Sequence, residues 1–232
     1  MTETFAHTDK EFDDELRRLR EGLYAMGVRC EQQITQAMAA LTQQDDELAR
    51  HVIDNDEAID RDEIEIDELV LRLLATRQPV AGDLRFITMA LKFVTDLERI
   101  GDLAGGIAKR ALEVSRLPPL RAHVDLQQLA ALVHKNLRAA LDAFLGRNAE
   151  RATAVIQADR EIDRLNASLF AELLAHLATD PATVTRVLPM TSVCRYLERI
   201  GDHVKNLAEE VVYMVKAQDV RHQPTQPPPR GN

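Results

Sequence analysis

Residues 96–111 read DLERIGDLAGGIAKRA, and residues 196–211 read YLERIGDHVKNLAEEV. The six residues LERIGD stand identical at 97–102 and 197–202, an offset of 100. Working back from them, an offset of 103 carries Leu23, Met26, Cys30, Ile34, Met38 and Leu41 onto Leu126, Leu129, Val133, Leu137, Leu141 and Phe144. The same offset lays Asp56, Ile59 and Asp60 over Asp159, Ile162 and Asp163. A register held across two loops, with a six-residue identity at its end, is the signature of a duplicated unit.

The unit is helical. Phe12, Leu16, Leu19, Leu23, Met26, Cys30, Ile34, Met38 and Leu41 step by three and four, which stacks them as one stripe on a long helix. Similar stripes recur along the chain, and no two-residue alternation or hairpin signal interrupts them. The pattern predicts six long helices, near 10–43, 46–77, 82–115, 122–146, 149–178 and 183–217. Pro79 and Pro181 fall in turns, and Pro118-Pro119 closes the third helix. The fold class expected is all-α: two tandem pseudo-symmetric three-helix bundles of antiparallel helices, spanning 1–118 and 119–220. Residues 221–232, ending QPPPRGN, are expected to form a disordered Pro-rich tail.

Composition narrows the function. The chain has 232 residues, 45% hydrophobic and 29% charged, with 4% aromatics and no Trp. That is a soluble globular balance, with a core of Leu, Ile, Val, Met and Ala. A net charge of −9 argues against nucleic acid or anionic lipid as the main partner. Two cysteines, Cys30 and Cys194, make no disulfide framework. The acidic N-terminus is no secretory signal, and no apolar run is long enough to span a membrane. A cytoplasmic protein without membrane insertion is expected.

Chemistry concentrates in four carboxylate pairs spaced i, i+4: Asp56/Asp60, Glu98/Asp102, Asp159/Asp163 and Glu198/Asp202. That spacing sets both side chains on one helix face, a turn apart. The pairs read in line with apolar rows: Asp56 and Asp60 with Ile53, Ile64 and Leu71, and Glu98 and Asp102 with Ile87, Leu91 and Val94. Asp159 and Asp163 continue Ile156, Ala167 and Phe170, and Glu198 and Asp202 continue Met190 and Cys194. Their levels also agree. Asp60/Glu98 and Asp56/Asp102 share the midpoint 79, and Asp163/Glu198 and Asp159/Asp202 share 180.5, so each hairpin gathers four carboxylates.

Like charges so gathered repel, and desolvation adds several kcal/mol per ion, costs that a multivalent cation relieves together. Oxygen donors suit hard ions such as iron, Mg²⁺, Mn²⁺ or Ca²⁺. Without these eight acids the net charge falls from −9 to −1. The competing reading pairs the acids with Arg61, Arg99, Arg160, Arg164 and Arg199, making a metal-free helical scaffold. A carboxylate-bridged phosphohydrolase is the enzymatic alternative. It finds no general acid or base, and the Glu-x-x-His of di-iron bundles is missing, since Gly101 and Gly201 stand three residues after Glu98 and Glu198. Cys194 reads as core, His203 as a surface histidine, and Gly101, Gly105 and Gly106 as points of close helix packing.

At TRQPVAGDLRFI (76–87), DLERIGDLAGGIAKRA (96–111) and YLERIGDHVKNLAEEVVYMVKAQDVRH (196–222) the chain resembles the PhoU family. The resemblance covers about residues 10–220. It implies two three-helix bundles, with E(D)xxxD motifs associated with multinuclear metal clusters. These fall on Asp56/Asp60, Glu98/Asp102, Asp159/Asp163 and Glu198/Asp202. It also implies a non-enzymatic negative regulator of phosphate uptake and of the phosphate-starvation response. Such a regulator links a PstB-like ATPase of the phosphate ABC transporter to a PhoR-like sensor histidine kinase. A homodimer is expected from the apolar surface left on three-helix bundles.

Overall fold

In the computed structural model, residues 10–117 and 125–220 are described, and they are helical almost throughout. The helices are α1 (Lys10–Gln43), α2 (Asp46–Asp54), α3 (Asp56–Thr76), α4 (Ala81–Val114), α5 (Leu126–Leu145), α6 (Ala149–Thr179) and α7 (Val184–Lys216), with a 3₁₀ turn at Pro181–Thr183. The expected boundary at 118/119 and the tail 221–232 lie outside the described residues.

One expected helix is two. The stretch 46–77 breaks at Asn55, whose backbone N–H turns back to His51 O and Ile53 O while its Nδ2 lies 2.9 Å from His51 Nε2. Asn competes with the helix for such local hydrogen bonds. Its counterpart 103 residues on is Ala158, the best helix former, and α6 runs through that point unbroken. Polar caps mark other starts. Asp45 accepts from Leu48 N, Asp125 from Gln128 N, and Asn148 from Glu150 N and Arg151 N. At its far end α4 is capped by Arg186 of α7, whose Nη1 donates to Val114 O and Leu117 O.

One apolar core runs through both halves, from Phe12 and Leu16 in α1 to Val211 and Val212 in α7. Among the described residues the most extensive helix pairing is α4 with α7, so the two LERIGD helices are also the seam between the halves. That seam is asymmetric. On one side the Tyr196 ring lies where a Cβ on Gly106 would come within 3.2 Å. On the other, Asp96 Oδ1 accepts from His203 Nδ1 at 2.6 Å and from Asn206 Nδ2 at 3.1 Å. His203 is thus half-buried in a bridge between halves rather than a surface histidine, because a carboxylate 107 residues away faces it. A second seam joins α1 to α5, where buried Glu31 takes Arg138 Nε at 2.8 Å.

Candidate metal centre

The glycine of LERIGD sets how closely the helices of each hairpin approach. A Cβ on Gly101 would lie 2.8 Å from Ile59 Cδ1 and 3.6 Å from Asp56 Oδ1. On Gly201 it would lie 3.2 Å from Ile162 Cγ2 and 3.7 Å from Asp159 Oδ1. An isoleucine therefore rests on each glycine, and the Asp three residues before it is carried directly over the facing helix. This is the close packing expected of Gly101, and Gly106 under the Tyr196 ring shares it; Gly105, where a Cβ would make only ordinary contacts, does not.

The buried stripe of α3 is Ile59, Ile66, Val70 and Leu73. Ile64 and Leu71, which the apolar rows placed beside Asp56 and Asp60, are 58% and 63% exposed. The acids of α3 thus stand at the rim of the packed stripe and do not interrupt it. A row of steps four and seven drifts off the face that a 3.6-residue turn keeps buried. Asp56, Glu98 and Glu198 are half-buried and Asp159 is buried, whereas Asp60, Asp102, Asp163 and Asp202 open to solvent.

Electrostatics places the acids of each half within reach of one another. Burial raises the Asp56 carboxyl above its ordinary range, and Asp102 and Asp60 raise it further. Burial, then Asp102, pushes Glu98 up to about 7. In the second half burial lifts Glu198, with Asp202 and Asp163 adding to it, and Asp202 is raised by burial and by Asp163. Among the described residues no three His, Cys, Asp or Glu side chains stand close enough to enclose an ion as they are placed. The acids form two open rims.

Two residues were absent from the sequence expectation. Glu63, raised by burial, by Asp67 and by Asp60, adds a fifth carboxyl beside Glu98 in the first rim. It lies three residues after Asp60 and seven after Asp56, on the same helix face but outside the i, i+4 spacing that singled out the others; its counterpart is Asn166. Lys205 enters the second rim, with Nζ 3.1 Å from Asp159 Oδ2. Of the arginines offered as partners, Arg99 pairs with Glu98 at 3.3 Å and Asp102 at 3.2 Å. Arg61 Nε and Arg164 Nε instead donate to the carbonyls of Glu57 and Arg160.

The model of the PhoU domain matches residues 23–111 and again residues 126–211, once for each half. The chain belongs to the PhoU family. Relatives include the phosphate-specific transport system accessory protein PhoU homolog of Pseudomonas putida, 42% identical over 93% of this chain and 85% of that protein. The accessory protein PhoU of Escherichia coli is 35% identical over 93% of this chain and 90% of its own length. The crystal structure of PhoU from Pseudomonas aeruginosa matches with a TM-score of 0.86 at 40% identity, covering 90% of this chain and all 100% of the other. The phosphate transport system regulatory protein PhoU from Streptococcus pneumoniae gives 0.84 at 30% identity, over 90% and 99% of the two chains. The PhoU fold is therefore that of this chain, all-α and twice repeated. Among its described residues no helix is long and apolar enough to cross a membrane.

Fitness for a metal differs between the two rims. In the first, Asp56 Oδ1 is buried without a hydrogen-bond partner, and Gly105, which brings no side chain to the same carboxylate, lies so that a Cβ on it would stand 3.6 Å from Asp56 Oδ2. An orphaned carboxylate oxygen among oxygen donors suits a hard cation. In the second, the buried carboxylate already holds an ammonium.

Proposed function

We propose that this chain is a non-enzymatic, metal-binding regulator of phosphate uptake and of phosphate-starvation signalling, acting in the cytoplasm. It serves as an adaptor between a PstB-like transporter ATPase and a PhoR-like sensor kinase. Family membership supports the regulatory part, since its relatives are named accessory proteins of phosphate-specific transport. The observation that carries the metal part is the orphaned Asp56 Oδ1 within a rim of five carboxyls, Asp56, Asp60, Glu63, Glu98 and Asp102.

Asp56, Asp60, Glu98 and Asp102 would hold an ion such as iron, Mg²⁺ or Mn²⁺ in the first half, and Asp159, Asp163, Glu198 and Asp202 in the second. Bound, the ion supplies charge neutralisation between neighbouring helices. The chain's own residues set the rest. Gly101 and Gly201 fix how closely the helices approach, and Asp96 ties the LERIGD helices together through His203 and Asn206. The state of the rims thereby bears on the α4–α7 seam and on the surface offered to partners, the chain acting as a homodimer.

Affinity capture with full-length chain as bait tests the adaptor role. PstB-like and PhoR-like proteins are expected to be retained, more strongly with Mn²⁺ than after chelation. Retention of neither under any phosphate or metal condition overturns it. Elemental analysis of untagged protein tests the metal: Glu98→Gln with Asp102→Asn is expected to lower its content, and an unchanged content overturns the assignment.

A further inference from the structure

We propose that Lys205 is the built-in counter-ion of the second rim, so that the two halves of this chain are unequal metal sites. The inference deepens the metal reading above and rests on it. Lys205 Nζ lies 3.1 Å from Asp159 Oδ2, and the Asp159 side chain is only 6% exposed. Lys205 stands one turn after Gly201, on the face that carries Asp159 over α7. It therefore meets the innermost of the four carboxylates.

The position related by the repeat is Gly105, which has no side chain to offer. A Cβ there would sit 3.6 Å from Asp56 Oδ2, an ordinary contact, so a side chain could start at 105 without a clash at its root. Asp56 Oδ1 is left buried and unpartnered, whereas Asp159 has its cation. Charge follows the same division. The first rim has five carboxyls, with Arg99 paired to Glu98 and Asp102 and with Lys109 near enough to oppose the upward shift of Asp56 but holding neither of its oxygens in an ion pair. The second has Asn166 where the first has Glu63.

A divalent ion reaching the second rim must move an ammonium off Asp159 or share the carboxylate with it. At the first rim Arg99 sits on Glu98 and Asp102, but the innermost carboxylate, Asp56, offers an oxygen with no hydrogen-bond partner. Both the Coulomb repulsion and the lost ion pair weaken the second site. Lys205 is thus a specificity-determining residue that makes the first half the tighter site for a small hard cation and holds the second together without one.

The test is Mn²⁺ binding to the full-length, chelator-stripped chain, read from the electron paramagnetic resonance of the free ion. Asp56→Asn with Asp102→Asn leaves the second rim to report, and Asp159→Asn with Asp202→Asn leaves the first. In the first background, Lys205→Met is expected to tighten Mn²⁺ binding at least about tenfold, by removal of a like charge at contact distance. In the second, Gly105→Lys is expected to weaken it by a similar factor. An unchanged second-rim affinity in Lys205→Met overturns the inference while leaving the metal reading intact.

A melting cycle in chelator, with Lys205→Met, Asp159→Asn and the double variant, examines the ion pair without metal. The double variant is expected to melt above the sum of the single losses, and strictly additive losses overturn the counter-ion role. If no variant and no wild-type protein binds Mn²⁺, the metal reading falls and the inequality of sites with it.

Discussion

The two halves share a backbone plan and differ in how each balances its buried charge. Over Gly201 the second half sets a buried aspartate and answers it with Lys205. Over Gly101 the first sets an aspartate whose inner oxygen has no hydrogen-bond partner, adds Glu63, and breaks the preceding helix at Asn55, just ahead of Asp56. Duplication supplied the geometry twice, and single substitutions then decided what each copy requires. A close helix approach needs a glycine, whereas the charge above it can be met from inside the chain or from outside.

The largest difference expected lies in the cores. Phe93 is fully buried against Phe144, with ring centroids 4.6 Å apart, and the repeat places Val193 opposite it. Phe93→Ala is expected to cost about 3–5 kcal/mol in denaturant unfolding, and Val193→Ala roughly half as much, since it removes far less volume. Equal losses would mean that the halves share their core evenly.

Next comes Gly27, where an added Cβ would fall on the Leu141 side chain, 3.0 Å from Cδ1 and 3.2 Å from Cγ. Gly27→Ala is expected to lose about 1–3 kcal/mol by overpacking the α1–α5 seam. Its counterpart Ala130 already carries that methyl, so a tolerated Gly27→Ala would erase this asymmetry.

Asp96 accepts from both His203 and Asn206, and Asp96→Ala is expected to cost about 1–2 kcal/mol by thermal melting. Tyr196→Phe keeps the ring over Gly106 and is expected to cost less.

The smallest effect is a pH dependence. Glu98 moves from 4.5 up to about 7 in the folded chain, so folding favours its protonated form. That contribution is complete below the unfolded value and fades as pH rises through about 7. Chelated protein is expected to lose about 2–4 °C more between pH 5 and 7.5 than Glu98→Gln does. The Glu198→Gln comparison is expected to show less, and the reverse order would place the stronger carboxyl repulsion in the second half.

Much of this was legible without coordinates. Long stripes of Leu, Ile and Met gave the helices, apart from the break at Asn55, with ends within four residues, because helix periodicity is a local property. The repeat gave the two hairpins and set the acids of each at one level. The break at Asn55 escaped because one polar residue can end a helix or ride along it, and its side-chain partner decides which. Ile64 and Leu71 were read as packed because rows of four and seven drift around a helix. Lys205 escaped for another reason: it lies 46 residues from Asp159, and no pattern of acids points to a base. Glu63 lies three residues after Asp60, outside the i, i+4 spacing, and the repeat gives no second copy of it, since its counterpart is Asn166.

The two thiols offer a practical opening. Cys30 and Cys194 are the chain's only cysteines, and both are fully buried. Cys30 donates to Leu97 O, and burial lifts both thiols, Cys194 to about 11, so neither presents a thiolate to alkylating reagents in the native fold. A spin label or fluorophore attached to a cysteine introduced on a solvent-facing turn would react alone, against a silent wild-type background. Distances between the halves could then be followed in solution without first stripping the native sulfur from the core.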